Sequence, residues 1–248
     1  MLSKAVIKYI NSLQIKKYRN LHQAFVVEGG KSVQELMHSD FEIEKLYVTH
    51  DFFQKHTDIL DKGFNYELVT ETELVRAGTY ESNNAALAVA KIKKLPPLQV
   101  KPEELVIALD DIRDPGNLGT IIRIADWYGI TKIICSENCA DFYNAKVIAA
   151  TMGSFARINA WYVNLPLFLQ SLPKPHQVYG AALNGGNIHQ LSLQPQGIVI
   201  MGNEANGISM QVMEHVNNIV KIPGFGKAES LNVATATAII IDNFFRNQ

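Results

Sequence analysis

The sequence has 248 residues but only two cysteines and two tryptophans. No apolar run approaches the ~18 residues that a membrane span requires. The longest, Val233 to Ile241, is broken by threonines, so no membrane partner is expected. An N-terminal apolar stretch ending in small residues is also missing, which argues against a secretion signal. Cys135 and Cys139 have no second cysteine pair and no nearby histidine pair. That spacing excludes the usual zinc arrangements, and no metal is expected. Two free thiols suit a reducing cytoplasm, the expected location. Charge of one sign is scarce as well: 23 Lys plus Arg oppose 24 Asp plus Glu, for a net −1. Such balance excludes a generic polyanion binder but not a local basic face. At 47% hydrophobic and 19% charged residues, the chain is too apolar for charge-driven disorder. It is long enough for one large or two smaller domains. Internal repeats and low-complexity tracts are absent.

What is present is unevenly distributed. Within residues 1–31, Lys4, Lys8, Lys16, Lys17, Arg19 and Lys31 face Glu28 alone. This is either an exposed helix face or a surface for phosphates. Lys91 to Pro102 holds three prolines and four lysines, the composition of a solvated, semi-rigid connector. The boundaries drawn are a first domain over 1–95, a linker over 96–104 and a second domain over 105–248. In the first, strands are expected at 24–27, 45–48, 66–69 and 85–90, alternating with helices at 31–37, 52–60 and 71–77. In the second, apolar runs at 105–109, 132–135, 178–182, 197–201 and 219–222 suit buried parallel strands. Helices are expected there at 118–128, 145–152, 209–216 and 231–245. The fold class is α/β, with a mostly parallel C-terminal sheet flanked by helices on both faces.

In an open parallel sheet, ligands bind beyond the carboxyl ends of the strands. Three such ends lead into loops rich in Gly, Asn and acid: Asp110–Gly119, Gly202–Ser209 and Pro223–Asn232. At 100° per residue, Leu118, Ile121, Ile122 and Ala125 share an apolar arc of about 100°. Arg123 lies roughly 150° from the middle of that arc, pointing away from the core. Asn117 stands at the helix start, where its side chain suits a cap of the first turn. Asp110, Asp111 and Asp114 invite a cation reading, but adjacent residues on an extended chain diverge, so turn and arginine-pairing roles are expected instead. Neither Gly116-Asn-Leu-Gly119 nor Ala181–Gly186 matches a dinucleotide or Walker fingerprint.

Together these loops resemble the three motifs of the SpoU-type (TrmH-type) RNA ribose 2′-O-methyltransferases of the SPOUT superfamily. Asp111–Gly129 is similar to the first motif, with Asp-Pro-x-Asn-x-Gly, the following Arg and Ala-Asp-x-x-Gly. Ile198–Ser209 is similar to the second, Gly-Asn-Glu-x-x-Gly-Ile-Ser. Ile222–Ala236 is similar to the third, Ile-Pro-x-x-Gly-x-x-x-Ser-Leu-Asn-Val. Gly224 stands where the family usually has Met, and Ala234 where Ser is frequent. Residues Lys17–Lys31 also resemble the family's small α/β substrate-binding domain.

The resemblance implies a deep trefoil knot in the second domain, S-adenosylmethionine as cofactor, RNA as substrate, and a homodimer packed through the C-terminal domain. By the same likeness Arg123 acts at the ribose 2′-hydroxyl, Asn117 shapes that site, and Glu204, Ser230 and Asn232 complete it. The cofactor is expected near Leu183, Gly185, Met201, Gly202, Ile222 and Leu231, with Met201, Ile222 and Leu231 against adenine. Lys16, Lys17, Arg19 and Lys31 are the expected RNA contacts. A ribosomal RNA substrate is favoured over transfer RNA, because a separate N-terminal domain resembles those of ribosomal RNA modifiers. Two rival readings remain: a non-catalytic RNA-binding protein that keeps the fold, and a nicotinamide-dependent oxidoreductase. The second lacks the dinucleotide glycine fingerprint.

Overall fold

A computed structural model describes residues 1–60, 63–173 and 176–246. They form two compact units: Met1–Lys94 with Asp141–Ala156, and Leu95–Ala140 with Arg157–Gln248.

The first unit opens with α1 (Lys4–Ser12) and α2 (Lys16–His22). It continues through β1 (Ala24–Glu28), α3 (Gly30–Met37), β2 (Ile43–Val48), α4 (His50–Lys55) and α5 (Thr57–Leu60). It then runs through β3 (Tyr66–Leu68), α6 (Glu71–Ala77) and β4 (Ala86–Lys91). The strands lie in the order β1-β4-β2-β3, with β4 antiparallel to β1 and β2, and β3 parallel to β2. Every residue of β1 is buried. Ala24 and Val26 join a cluster with Ile10, Leu13 and Leu74. Phe25 packs instead among aromatic rings, with centroids 5.5 Å from Phe41, 4.6 Å from Tyr143 and 6.2 Å from Phe155. Tyr143 and Phe155 come from Asp141–Ala156, a segment expected in the second domain but held in the first core.

Arg19 corrects another expectation. It is only 2% exposed, so it cannot serve as a phosphate contact. Its Nη1 donates to the carbonyls of Leu13 at 2.9 Å and Gln14 at 2.8 Å, and its Nη2 pairs with Asp141 at 2.6 Å. A guanidinium with planar, fixed donors suits this junction of the α1–α2 turn and Asp141. Lys16, Lys17 and Lys31 are exposed, as RNA contacts would need to be. Thr70 caps α6 in a reciprocal capping box with Glu73. The backbone amides of Thr70 and Leu2, with the Thr70 hydroxyl, hold the Glu73 carboxyl down from 4.5 to about 2.

In the remainder of the chain the elements are β5 (Leu105–Leu109), α7 (Pro115–Trp127), β6 (Lys132–Ser136) and α8 (Ala145–Thr151). Of these, α8 belongs to the first unit. Then follow β7 (Asn159–Val163), α9 (Leu165–Ser171), β8 (Val178–Asn187) and β9 (Gly197–Met201), then α10 (Met210–Met213), β10 (Asn218–Lys221) and α11 (Val233–Phe245). The six strands of the second unit lie in the order β10-β8-β9-β5-β6-β7, and every neighbouring pair is parallel. All five residues of β5 and of β9 are buried, as befits central parallel strands. Val106, Ala108, Ile198 and Ile200 cluster with Leu165, Leu169 and Val212 from α9 and α10. Among the described residues no helix is long and apolar enough to cross a membrane.

Candidate active site

The chain leaves β5 through Asp110 and Asp111, whose carboxylates are both engaged. Asp110 Oδ2 accepts from the Ser209 amide at 2.7 Å. Asp111 has the left-handed φ of 63° and pairs with Arg113 Nε at 2.7 Å. The loop after β9 crosses to meet it, for Asn203 Nδ2 donates to the Asp111 carbonyl at 2.8 Å. Asn203 Oδ1 meanwhile accepts from the amides of Ala205 at 2.9 Å and Asn206 at 3.2 Å. This Asx turn lets Asn203 pair back on Gly207, whose φ is 69°. Gly202 lies so close to the Gly207 and Ile208 backbone that a Cβ would overlap them.

The helix α7 begins three residues earlier than its apolar spacing suggests. Asp114 is the N-cap, accepting from the Asn117 amide at 2.8 Å, and Pro115 occupies the first turn. Asn117 is therefore not the cap, which frees its side chain. Asn232 Nδ2 donates to Asn117 Oδ1 at 2.8 Å, and Asn117 Nδ2 donates to Glu204 Oε1. Asn232 itself caps α11, with Oδ1 accepting from Ala234 and Thr235 at 3.0 and 3.3 Å. The first turn of α7, the loop after β9 and the N-cap of α11 are thus joined in one line. Leu118, Ile121, Ile122 and Ala125 are buried, while Arg123 is exposed. The Arg123 side chain makes no hydrogen bond or ion pair among the described residues. Ser230 is also exposed, on the same loop as Asn232.

Residues expected around the cofactor are only partly alike in placement. β8 and β10 pair through Gly180↔Ile219 and resume at Gly186↔Val220, so the intervening residues 181–185 bulge from the ladder. Leu183 projects from this bulge at 70% exposure. Gly185 lies against β10, where a Cβ would come within 2.6 Å of the Val220 carbonyl carbon. Ile222 is half-buried and Leu231 exposed. Met201, expected against adenine, is closed off from solvent. It ends a strand buried on both faces, its side chain is buried, and its carbonyl accepts from the Asp110 amide at 2.9 Å.

Among the described residues, positions 223–231 make no hydrogen bond or ion pair. An adenosine needs apolar contact for its faces and backbone groups for its edge. The exposed Leu183 and Leu231, the half-buried Ile222 and these unengaged amides fit that need. Cys139 supports the first loop from beneath, its Sγ accepting from the Ile112 amide at 3.3 Å. The Cys135 thiol, Ser136 and the Ile112 and Asp111 amides together bring its pKa from 9.0 to about 7. The same thiol pair and complete burial push Cys135 up. No residue pattern in the sequence marked this supporting role.

Residues 104–242 match the SpoU rRNA Methylase family, and residues 4–88 match an MRM3-like substrate binding domain. The 23S rRNA (guanosine(2553)-2′-O)-methyltransferase RlmP of Bacillus subtilis is 30% identical over 95% of this chain and 94% of its own length. A TrmH-family protein from Porphyromonas gingivalis superposes with a TM-score of 0.87 at 32% identity, covering 100% of both chains. An AdoMet-bound rRNA methyltransferase from Sinorhizobium meliloti gives 0.88 at 27% identity, over 100% of this chain and 96% of that one. Motif spacing, the parallel sheet and the joined loops all agree with these matches: the chain belongs to the SpoU rRNA methylase family of RNA 2′-O-methyltransferases.

Proposed function

We propose that the protein methylates a ribose 2′-hydroxyl in structured RNA, ribosomal rather than transfer RNA, using S-adenosylmethionine. The observation that carries this reading is the line Asn232–Asn117–Glu204, because it joins the first turn of α7, the loop after β9 and the start of α11 in one polar site. The relatives named for ribosomal RNA, and the substrate-binding domain matched at residues 4–88, favour that RNA class. Lys16, Lys17 and Lys31 are the RNA-facing cations of the first unit.

When bound, S-adenosylmethionine supplies an electrophilic methyl group on a sulfonium. Leu183, Gly185, Gly202, Ile222 and Leu231 would hold it, by apolar contact and backbone groups. Arg123 binds a phosphate beside the target ribose and orients the hydroxyl, since positioning supplies much of the rate of such a transfer. A guanidinium keeps its charge and is a poor general base, which favours this electrostatic role. Glu204 keeps the Asn117 amide in one orientation, and Ser230 completes the site.

The family's deep trefoil knot in residues 105–248 and its homodimer belong to the same reading, with the full-length match to solved relatives in support. Trp127, 84% exposed on α7 beside α11, is the kind of aromatic a second copy would cover. A cytoplasmic location belongs to the same reading, with an RNA substrate and two free thiols in its support.

The test is to incubate the protein with labelled S-adenosylmethionine and unmodified total RNA, then map alkali-resistant linkages. Label in ribosomal RNA at such linkages is expected. Label only on bases or protein refutes ribose methylation. No binding of S-adenosylmethionine by titration would favour a non-catalytic RNA-binding protein. Undiminished single-turnover methylation by Arg123→Lys would refute the role given to Arg123.

A further inference from the structure

The loop from β10 to α11 is fixed at both ends and unengaged between them. β10 pairs with β8 up to Lys221, and Asn232 is held by α11 and Asn117. All residues from Gly224 to Asn232 are exposed. In the middle of this span Phe225 is 96% exposed. A large apolar ring held fully in water gives the fold nothing, because burial is what makes such rings stabilising. Its neighbours Gly224 and Gly226 are also unexplained by packing, since a Cβ at either would meet nothing within 4 Å. Glycine without an internal steric reason suits a backbone that must let something approach or must move. Lys227 follows two residues later, exposed and unpaired among the described residues.

Resting on the proposed RNA substrate, we infer that Phe225 stacks on an unpaired base flanking the methylated ribose, with Lys227 on an adjacent phosphate. Single-stranded RNA is read by aromatic rings stacked on splayed bases, and a cation alongside tracks the backbone. The ring is on the loop that also carries Ser230 and Asn232, so a base held there is fixed close to the reacting ribose. Phe225 thereby selects an RNA in which the flanking nucleotide is free of a helix. A duplex has its bases already stacked and offers this ring nothing.

The test uses the full chain, tritiated S-adenosylmethionine and in vitro transcribed 23S rRNA. Phe225→Ala should raise KM for RNA roughly 5-fold to 150-fold, the range of base–aromatic stacking, with kcat and cofactor affinity unchanged. Phe225→Tyr and Phe225→Trp should restore KM, whereas Phe225→Leu should not. Equal KM for the Leu variant and the wild type would overturn stacking in favour of generic apolar contact. Loss of cofactor affinity in Phe225→Ala would make the ring a cofactor wall instead. Conversion of a dimer to a monomer by light scattering would assign it to a second copy. A wild-type enzyme that methylates while Phe225→Ala matches it refutes the stacking alone. A wild type that leaves every ribose unmethylated removes the function on which it rests.

Discussion

Asn232 and Asn117 fix each other's amide orientation. Asn232 must turn Oδ1 toward the Ala234 and Thr235 amides to cap α11, so its Nδ2 faces Asn117 Oδ1 at 2.8 Å. Asn117 then has only Nδ2 left for Glu204, which accepts it as a carboxylate. The two jobs of Asn232 are separable. Asn232→Asp keeps the cap but replaces the donor by an oxygen, so melting should stay within ~0.5 kcal/mol of wild type while methylation falls about 10-fold to 100-fold. Asn232→Ala should lose the same activity and also about 1 kcal/mol of stability. Urea melts beside single-turnover assays separate the outcomes, and an active Asp variant would remove the network from the mechanism.

Arg19 is a structural cation. Arg19→Ala leaves Asp141 and two carbonyls without their donor, and the expected loss is about 3 kcal/mol by urea denaturation. A lysine has one nitrogen where three bonded groups must be met, so Arg19→Lys should recover only part of it. RNA affinity at equal folded fraction should not change.

Lys16 and Lys17, by contrast, are exposed and should act through phosphate. Replacing both by Ala should weaken RNA binding without altering the melt. The slope of log K against log salt should flatten by roughly 1.4 to 1.8, from about 0.7 to 0.9 per phosphate contact. An unchanged slope would place the RNA elsewhere.

Glu73 predicts a specific acid limb. Its folded pKa, about 2, lies below the ordinary 4.5, so folding favours the carboxylate. That contribution is complete above pH ~4.5 and is lost as pH falls toward 2. Glu73→Gln should flatten the dependence of unfolding free energy on pH across this window and leave it unchanged near neutrality. An acid limb as steep in Glu73→Gln as in wild type would mean other carboxylates dominate.

Local patterns made much of this legible. Apolar runs marked β5 and β9 because strands buried on both faces need no alternation, and helical spacing turned Arg123 outward. Asp114-Pro115 carried the true start of α7, but periodicity reads only from Leu118, where the apolar arc begins. β7 and α9 went unread: Asn159–Val163 is a half-buried edge strand whose apolar run is only four residues long, and α9 is a seven-residue helix, Leu165–Ser171, too short to show a clear helical period. The bulge at 181–185 depends on pairing between β8 and β10, which no single segment encodes. Arg19 resembled its lysine neighbours because nothing local identifies Asp141, far along the chain, as its partner.

The same distance sets an order of events during synthesis. Phe25 and Arg19 are made early, yet the rings and carboxylate that complete their surroundings arrive only with Asp141–Ala156. The ribosome must therefore release the first β-strands of the second unit before the first unit can close. A chain truncated at the proline-rich connector would carry an uncovered aromatic face and a buried cation without its counter-charge. Such a fragment should aggregate, and neither unit can be moved between proteins as an independent cassette cut at that connector.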